Sequence, residues 1–188
     1  MFSFFKPKIR ADEVADILIE GIQRDVANGQ VNKPFMDEIT FDDRSAIREE
    51  WFYFDVFNVD YFVFLAFGER IEKKLILDAF WLKMRQWLGT SEVSALPPRQ
   101  GFYAGDLKTV PGENSELEWD RVRRRCAMYM EAVNTQHPLG ENHSVAVAFG
   151  ILSGDSDLPH LAGFAGYFHK RKLEWLKMLK SVRVVVSL

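Results

Sequence analysis

At 188 residues the chain is long enough to bury a core without disulfides or a structural metal, and at 47% apolar and 27% charged it is too apolar for a disordered segment. The formal net charge of −3 lacks the basic balance that nucleic-acid binding favours. A single cysteine, Cys126, excludes an intrachain disulfide and a cysteine-based zinc site.

The first residues, Met-Phe-Ser-Phe-Phe-Lys-Pro-Lys, place a short apolar patch before the basic residues. A secretory signal has the reverse order and a longer apolar stretch, so a cytoplasmic protein is expected. Residues 11–27 set Val14, Ile17, Leu18, Ile22 and Val26 at helical spacing, with Asp12, Glu13 and Asp16 in the first turn, where acids complement the helix dipole. Gly29 is the expected stop, and residues 30–40, with Pro34, form a connector.

Thr40 before Phe41-Asp42-Asp43 suits an N-cap, and the pattern from there to Phe67 is apolar nearly all round, the mark of a centrally buried helix. Trp51 to Phe67 is short for a membrane span and carries Asp55, Asn58 and Asp60, each costly in a bilayer. The β-rich composition of residues 51–64 also permits paired strands turning near Asn58, but the turn signal is poor and both flanks are helical.

After Gly68, residues 69–88 place Ile71, Leu75, Ile76, Phe80, Leu82, Met84 and Trp87 on a wide apolar face ending at Gly89. Residues 89–114 hold seven glycines and prolines, too many for a long regular element; they form a long loop and a candidate subdomain boundary. Ser115-Glu116-Leu117-Glu118 reads as a capping box opening a helix that turns Trp119, Val122, Cys126, Tyr129, Met130 and Val133 to one side and ends at 136–140. A short helix at about 143–153 stops at Gly154, and a last helix begins near Asp157-Leu158-Pro159 and runs through Leu161, Phe164, Phe168, Trp175, Leu176 and Leu179. The tail from Val182 to Val186 continues that helix or forms a short edge strand. The fold class is therefore all-α: an irregular bundle of six helices in a single domain of residues 1–188, with one long loop.

Motifs that would fix a chemistry are missing. There is no paired Glu-x-x-His, no His-Glu-x-x-His, no phosphate-binding glycine loop and no Gly-x-Ser-x-Gly elbow. His137, His143 and His160 fall at helix ends or loops near Glu141, Asp155 and Asp157, without the spacing of a ligand set, so neither metal nor cofactor is expected.

Three features invite a functional reading. Asp55 and Asn58 share a helix face with Trp51 and Phe62; a carboxylate among aromatics is either a tuned group or a member of an internal pair with Arg44 or Arg48. Arg121, Arg123, Arg124 and Arg125 form a basic run that pairing with Glu118 and Asp120 along the helix would satisfy. Ala162, Gly163, Ala165 and Gly166, facing Ala146, Ala148 and Gly150, permit close backbone approach, as a packing device or a cavity wall. Charge is uneven: residues 1–60 hold thirteen acids against seven bases, residues 161–188 six bases against one acid, so the two segments are expected to face each other.

The sequence thus points to a non-catalytic helical module that binds a partner protein or a second copy of itself. The alternative is a small-molecule binder or enzyme with a pocket around Trp51, Asp55, Asn58 and the loop residues Arg99, Tyr103 and Asp106. Membranes and nucleic acid are not expected partners.

Overall fold

The computed structural model describes residues 6–27, 44–88, 113–135, 138–154 and 158–185. Among these, the elements run β1 (Lys8–Arg10), α1 (Ala11–Ala27), α2 (Arg44–Phe67), α3 (Ile71–Leu88), α4 (Glu113–Asn134), α5 (Glu141–Ser153), α6 (Leu158–Ser181) and β2 (Arg183–Val185). The all-α class is correct. The two short strands form a parallel pair with Lys8 opposite Arg183 and Ile9 opposite Val184.

Helix α2 is the axis of the molecule and packs against all five other helices. Its near-continuous run of apolar side chains explains this position, because a helix hydrophobic on every side is stable only when surrounded. From Trp51 to Val59 every residue is buried. Residues 51–64 are helical throughout, so the alternative of paired strands there is set aside. Gly68 ends α2 at φ 58°, donating its N–H to the Phe64 carbonyl at 2.7 Å; the left-handed backbone there costs a glycine little.

Around α2 the rings interlock. Phe54 lies 4.7 Å from Phe164, 5.7 Å from Tyr129 and Phe168, 5.9 Å from Phe149 and 6.0 Å from Trp51 between centroids, in tilted and edge-on arrangements. These are the geometries that the aromatic quadrupole favours. Phe149 of α5 stacks on Phe164 of α6 at 4.0 Å, fixing that pair of helices to each other.

Helix α3 is narrower in its burial than expected. Ile76, Phe80, Met84 and Trp87, at intervals of four, four and three, form the buried stripe, whereas Ile71 and Leu82 are more than half exposed. The helix packs chiefly on α1, so only one stripe is covered. Helix α4 begins at Glu113, two residues before the expected capping box. Thr40, Gly29, His137, Asp155, Asp157 and the 89–112 segment lie outside the described residues, and with them the loop and the subdomain boundary.

The tail forms β2 rather than prolonging α6, and its partner is the stretch just before α1. The Arg183 N–H donates to the Pro7 carbonyl at 2.9 Å. The chain therefore brings its basic N-terminal residues 6–10 beside its basic C-terminal ones, and the expected meeting of acidic and basic segments is realised only in part: Arg171 of α6 reaches Asp55 of α2, while Lys172 pairs with Glu141 at 2.8 Å.

Candidate functional site

Two buried carboxylates sit on α2. Asp55 is 1% exposed and its Oδ1 lies 3.1 Å from Nη2 of Arg171. The carboxylate is fully buried and a cation that faces it comes from α6, a partner outside its own helix; the side chains of Arg44 and Arg48, the partners expected along α2, lie outside the described residues. Arg171 is held in turn by Tyr167, whose hydroxyl accepts from Nη1 at 2.5 Å, and its guanidinium lies over the Tyr167 and Trp175 rings at 5.8 and 5.5 Å. Helical spacing explains the inward turn: residues 164, 168, 171 and 175 share one stripe, and three of them are aromatic.

Glu50, one turn earlier and 2% exposed, accepts from the Tyr129 hydroxyl at 2.7 Å and faces Arg125 at 3.4 Å. Burial pushes its carboxyl up to about 7, and Arg125 and Tyr129 only partly offset that. The same burial, and then the Glu50 charge, drives the Tyr129 hydroxyl well up. Arg125 thus pairs across helices rather than along its own, and Arg124 donates to the Asp120 carbonyl at 3.4 Å rather than to its carboxylate. The expected pairing of Arg124 with the Asp120 side chain is corrected accordingly. Cys126 is buried and its thiol is pushed up by burial, as suits an inert core thiol.

Of the six residues singled out in the sequence, Trp51, Asp55 and Asn58 lie together in the core; Arg99, Tyr103 and Asp106 lie outside the described residues. Trp51 packs edge-on to Phe149 and Phe164 at 5.6 and 5.4 Å. Asn58 is wholly buried, and among the described residues its amide has no hydrogen-bond partner. Among those residues, too, no three His, Cys, Asp or Glu side chains approach closely enough to hold a metal ion. His143 and His160 fall in the first turns of α5 and α6.

Concave surface lies elsewhere. A hollow of about 320 Å³ on α6 is lined by Gly163, Gly166, Tyr167, Lys170, Glu174 and Trp175, with Arg171 at its inner wall. The small residues of α6 therefore divide: Ala165 packs inward and the two glycines open outward. A larger groove of about 830 Å³ runs between the strand pair and the α2–α3 corner. Phe67, Leu179, Val182 and Val184 contribute its apolar lining, and Lys6, Lys8, Arg70, Lys180 and Arg183 gather there with Glu72 as the one acid. Trp51, Asp55 and Asn58 line neither hollow.

The groove joins three distant pieces of chain, residues 6–8, 66–72 and 179–184, so no local motif could have announced it. Two of its cations have a role within the fold. Arg70 donates to the carbonyls of Phe67 and Ala66 at 2.9 and 3.1 Å, closing the C-terminal turn of α2, and Lys180 suits the C-terminal dipole of α6. Among the described residues Lys6, Lys8 and Arg183 have no such side-chain partner. No family model matches this chain. Neither does a curated protein or a solved structure. Among the described residues, no helix is long and apolar enough to cross a membrane.

Proposed function

We propose that this chain is a non-catalytic helical interaction module whose cationic groove takes an acidic segment of a partner protein. The observation that carries the reading is the register of the strand pair. Lys8 stands directly opposite Arg183, a like-charge cross-strand pair that works against the pairing it sits in. Lys6 adds a third cation, without a side-chain partner among the described residues, to a groove that Phe67, Leu179 and Val184 also line. A cationic rim above an apolar floor fits a segment that alternates carboxylates with apolar side chains. A bare polyanion would use the rim but not the floor, and it would meet a chain of net charge −3.

The test is fluorescence anisotropy with a labelled peptide alternating Asp or Glu with Val, titrated with the native protein and with Lys8→Glu combined with Arg183→Glu. Saturable binding that weakens with salt and drops by about tenfold or more in the variant is expected. Circular dichroism checks that the variant stays folded. Equal binding to both proteins, or binding of single-stranded nucleic acid or anionic vesicles in preference to the peptide, contradicts the reading.

A second reading, self-association, is favoured by α5. From Asn142 to Ser153 this helix carries no acid, lysine or arginine, and Val147 and Ile151, four residues apart, stand 39% and 73% exposed. Such an uncharged ridge can be covered by a copy of itself. Light scattering across a concentration series is expected to show a dimer that Ile151→Glu removes; a native protein monomeric at every concentration would end this reading.

A further inference from the structure

Resting on the acidic-partner reading, we infer that the bound segment enters the groove extended, as a third strand added to the outer edge of β2. The geometry begins with Arg183, whose N–H is spent on the Pro7 carbonyl. In a parallel ladder the residue so engaged directs both its backbone groups to the neighbouring strand, and the next residue directs both away. With Ile9 opposite Val184, the N–H and C=O of Val184 therefore face away from β1. Val184 lines the groove, as does Val182 on the other side of Arg183. Among the described residues the sheet has two strands, and no further strand pairs with this edge.

A strand edge beside a groove is the arrangement that strand addition uses: main-chain bonds hold the peptide, and its alternate side chains are sorted to two faces. Here the period of two matches the two chemistries on offer. Side chains on one face of the added strand meet Phe67 and Leu179, and those on the other meet Lys8 and Arg183. A helical acidic segment would also carry charge, but it would leave the backbone groups of Val184 without partners. The short length of β2, three residues, limits the added ladder to a few bonds and implies a reversible contact rather than a permanent one.

The experiment changes the peptide and leaves the protein intact. Four labelled peptides of one composition are compared on the native chain: unmodified, N-methylated at one set of alternate residues, N-methylated at the other set, and locked as a helix by a side-chain staple. The unmodified peptide is expected to bind, one of the two methylated peptides to bind about tenfold more weakly, and the stapled helix likewise. Slowed hydrogen exchange at the Val184 amide accompanies binding. If all four bind alike, with the Lys8 and Arg183 charge reversal still abolishing it, strand addition is wrong and the acidic-partner reading survives. If none binds, both fall.

Discussion

Replacing Arg171 with Met removes the cation from Asp55 while keeping an unbranched side chain of similar reach. Asp55 is 1% exposed and the Arg171 side chain 13% exposed, so the carboxylate left behind cannot recover its hydration without opening the α2–α6 contact. Breaking a buried pair on one side costs about 3–5 kcal/mol, and the residual exposure of Arg171 puts this one at the lower end, about 3 kcal/mol. That is a large share of the roughly 5–15 kcal/mol that holds a domain folded. In urea, with a slope of about 2 kcal/mol per molar, the midpoint falls by about 1.5 M. Adding Asp55→Asn to Arg171→Met removes the buried carboxylate charge as well and restores much of the loss, which separates the ionic cost from lost packing over Tyr167 and Trp175. A loss below about 1 kcal/mol for the single variant, or a double variant no more stable than the single, would refute the claim that this pair is a buried internal strut.

Three further expectations follow from the core. Glu50 is raised to about 7 by burial, so between the ordinary carboxylate range and pH 7 the folded chain keeps a proton that the unfolded chain has lost. Its contribution is therefore fully present at acid pH and falls, by up to about 3 kcal/mol, as pH rises to 7; Glu50→Gln, which can still accept from Tyr129, should flatten that slope in thermal melts from pH 4.5 to 8, and an unchanged slope would exclude Glu50 as its source. Asn58→Ala should cost less than about 1 kcal/mol in urea, since the amide it removes has no partner among the described residues, whereas a loss above about 2 kcal/mol would mean that the amide is bonded. Phe54→Ala, at the centre of the ring cluster, should cost about 3–5 kcal/mol, and a loss under 1 kcal/mol would mean that the cluster is not the core.

Much of the architecture was legible because helices write their period into the chain. Residues 11–27 form α1 with the expected bounds, Gly154 ends α5 at φ 80°, and the all-round apolar run did become the central helix. The wide apolar face expected of α3 includes Ile71 and Leu82, which are exposed: periodicity gives a stripe, but the neighbours decide its width, and Leu82 faces outward because α1 covers only one side. The strand at Lys8–Arg10 was missed because three residues carry no measurable alternation and their partner lies some 175 residues away. The α6 partner of Asp55 is hard to read for a different reason. Arg171 is one of six bases in residues 161–188, and only its position between Phe168 and Trp175 on the apolar stripe signals an inward guanidinium. The groove is the least legible feature, since its charges are unremarkable one by one and acquire meaning only when β1 and β2 bring them together.

The central claim is that an acidic partner segment binds at the strand pair, and amide chemical-shift mapping tests it most directly. The isotopically labelled chain is titrated with the alternating acidic peptide, and shifts are read along the whole backbone. The expected result is saturable movement of Lys8, Arg70, Val182, Arg183 and Val184, with Val147 and Ile151 of α5 unmoved, and loss of the response in Lys8→Glu with Arg183→Glu. Shifts confined to α5, or a response at the groove that survives the charge reversal, would contradict it.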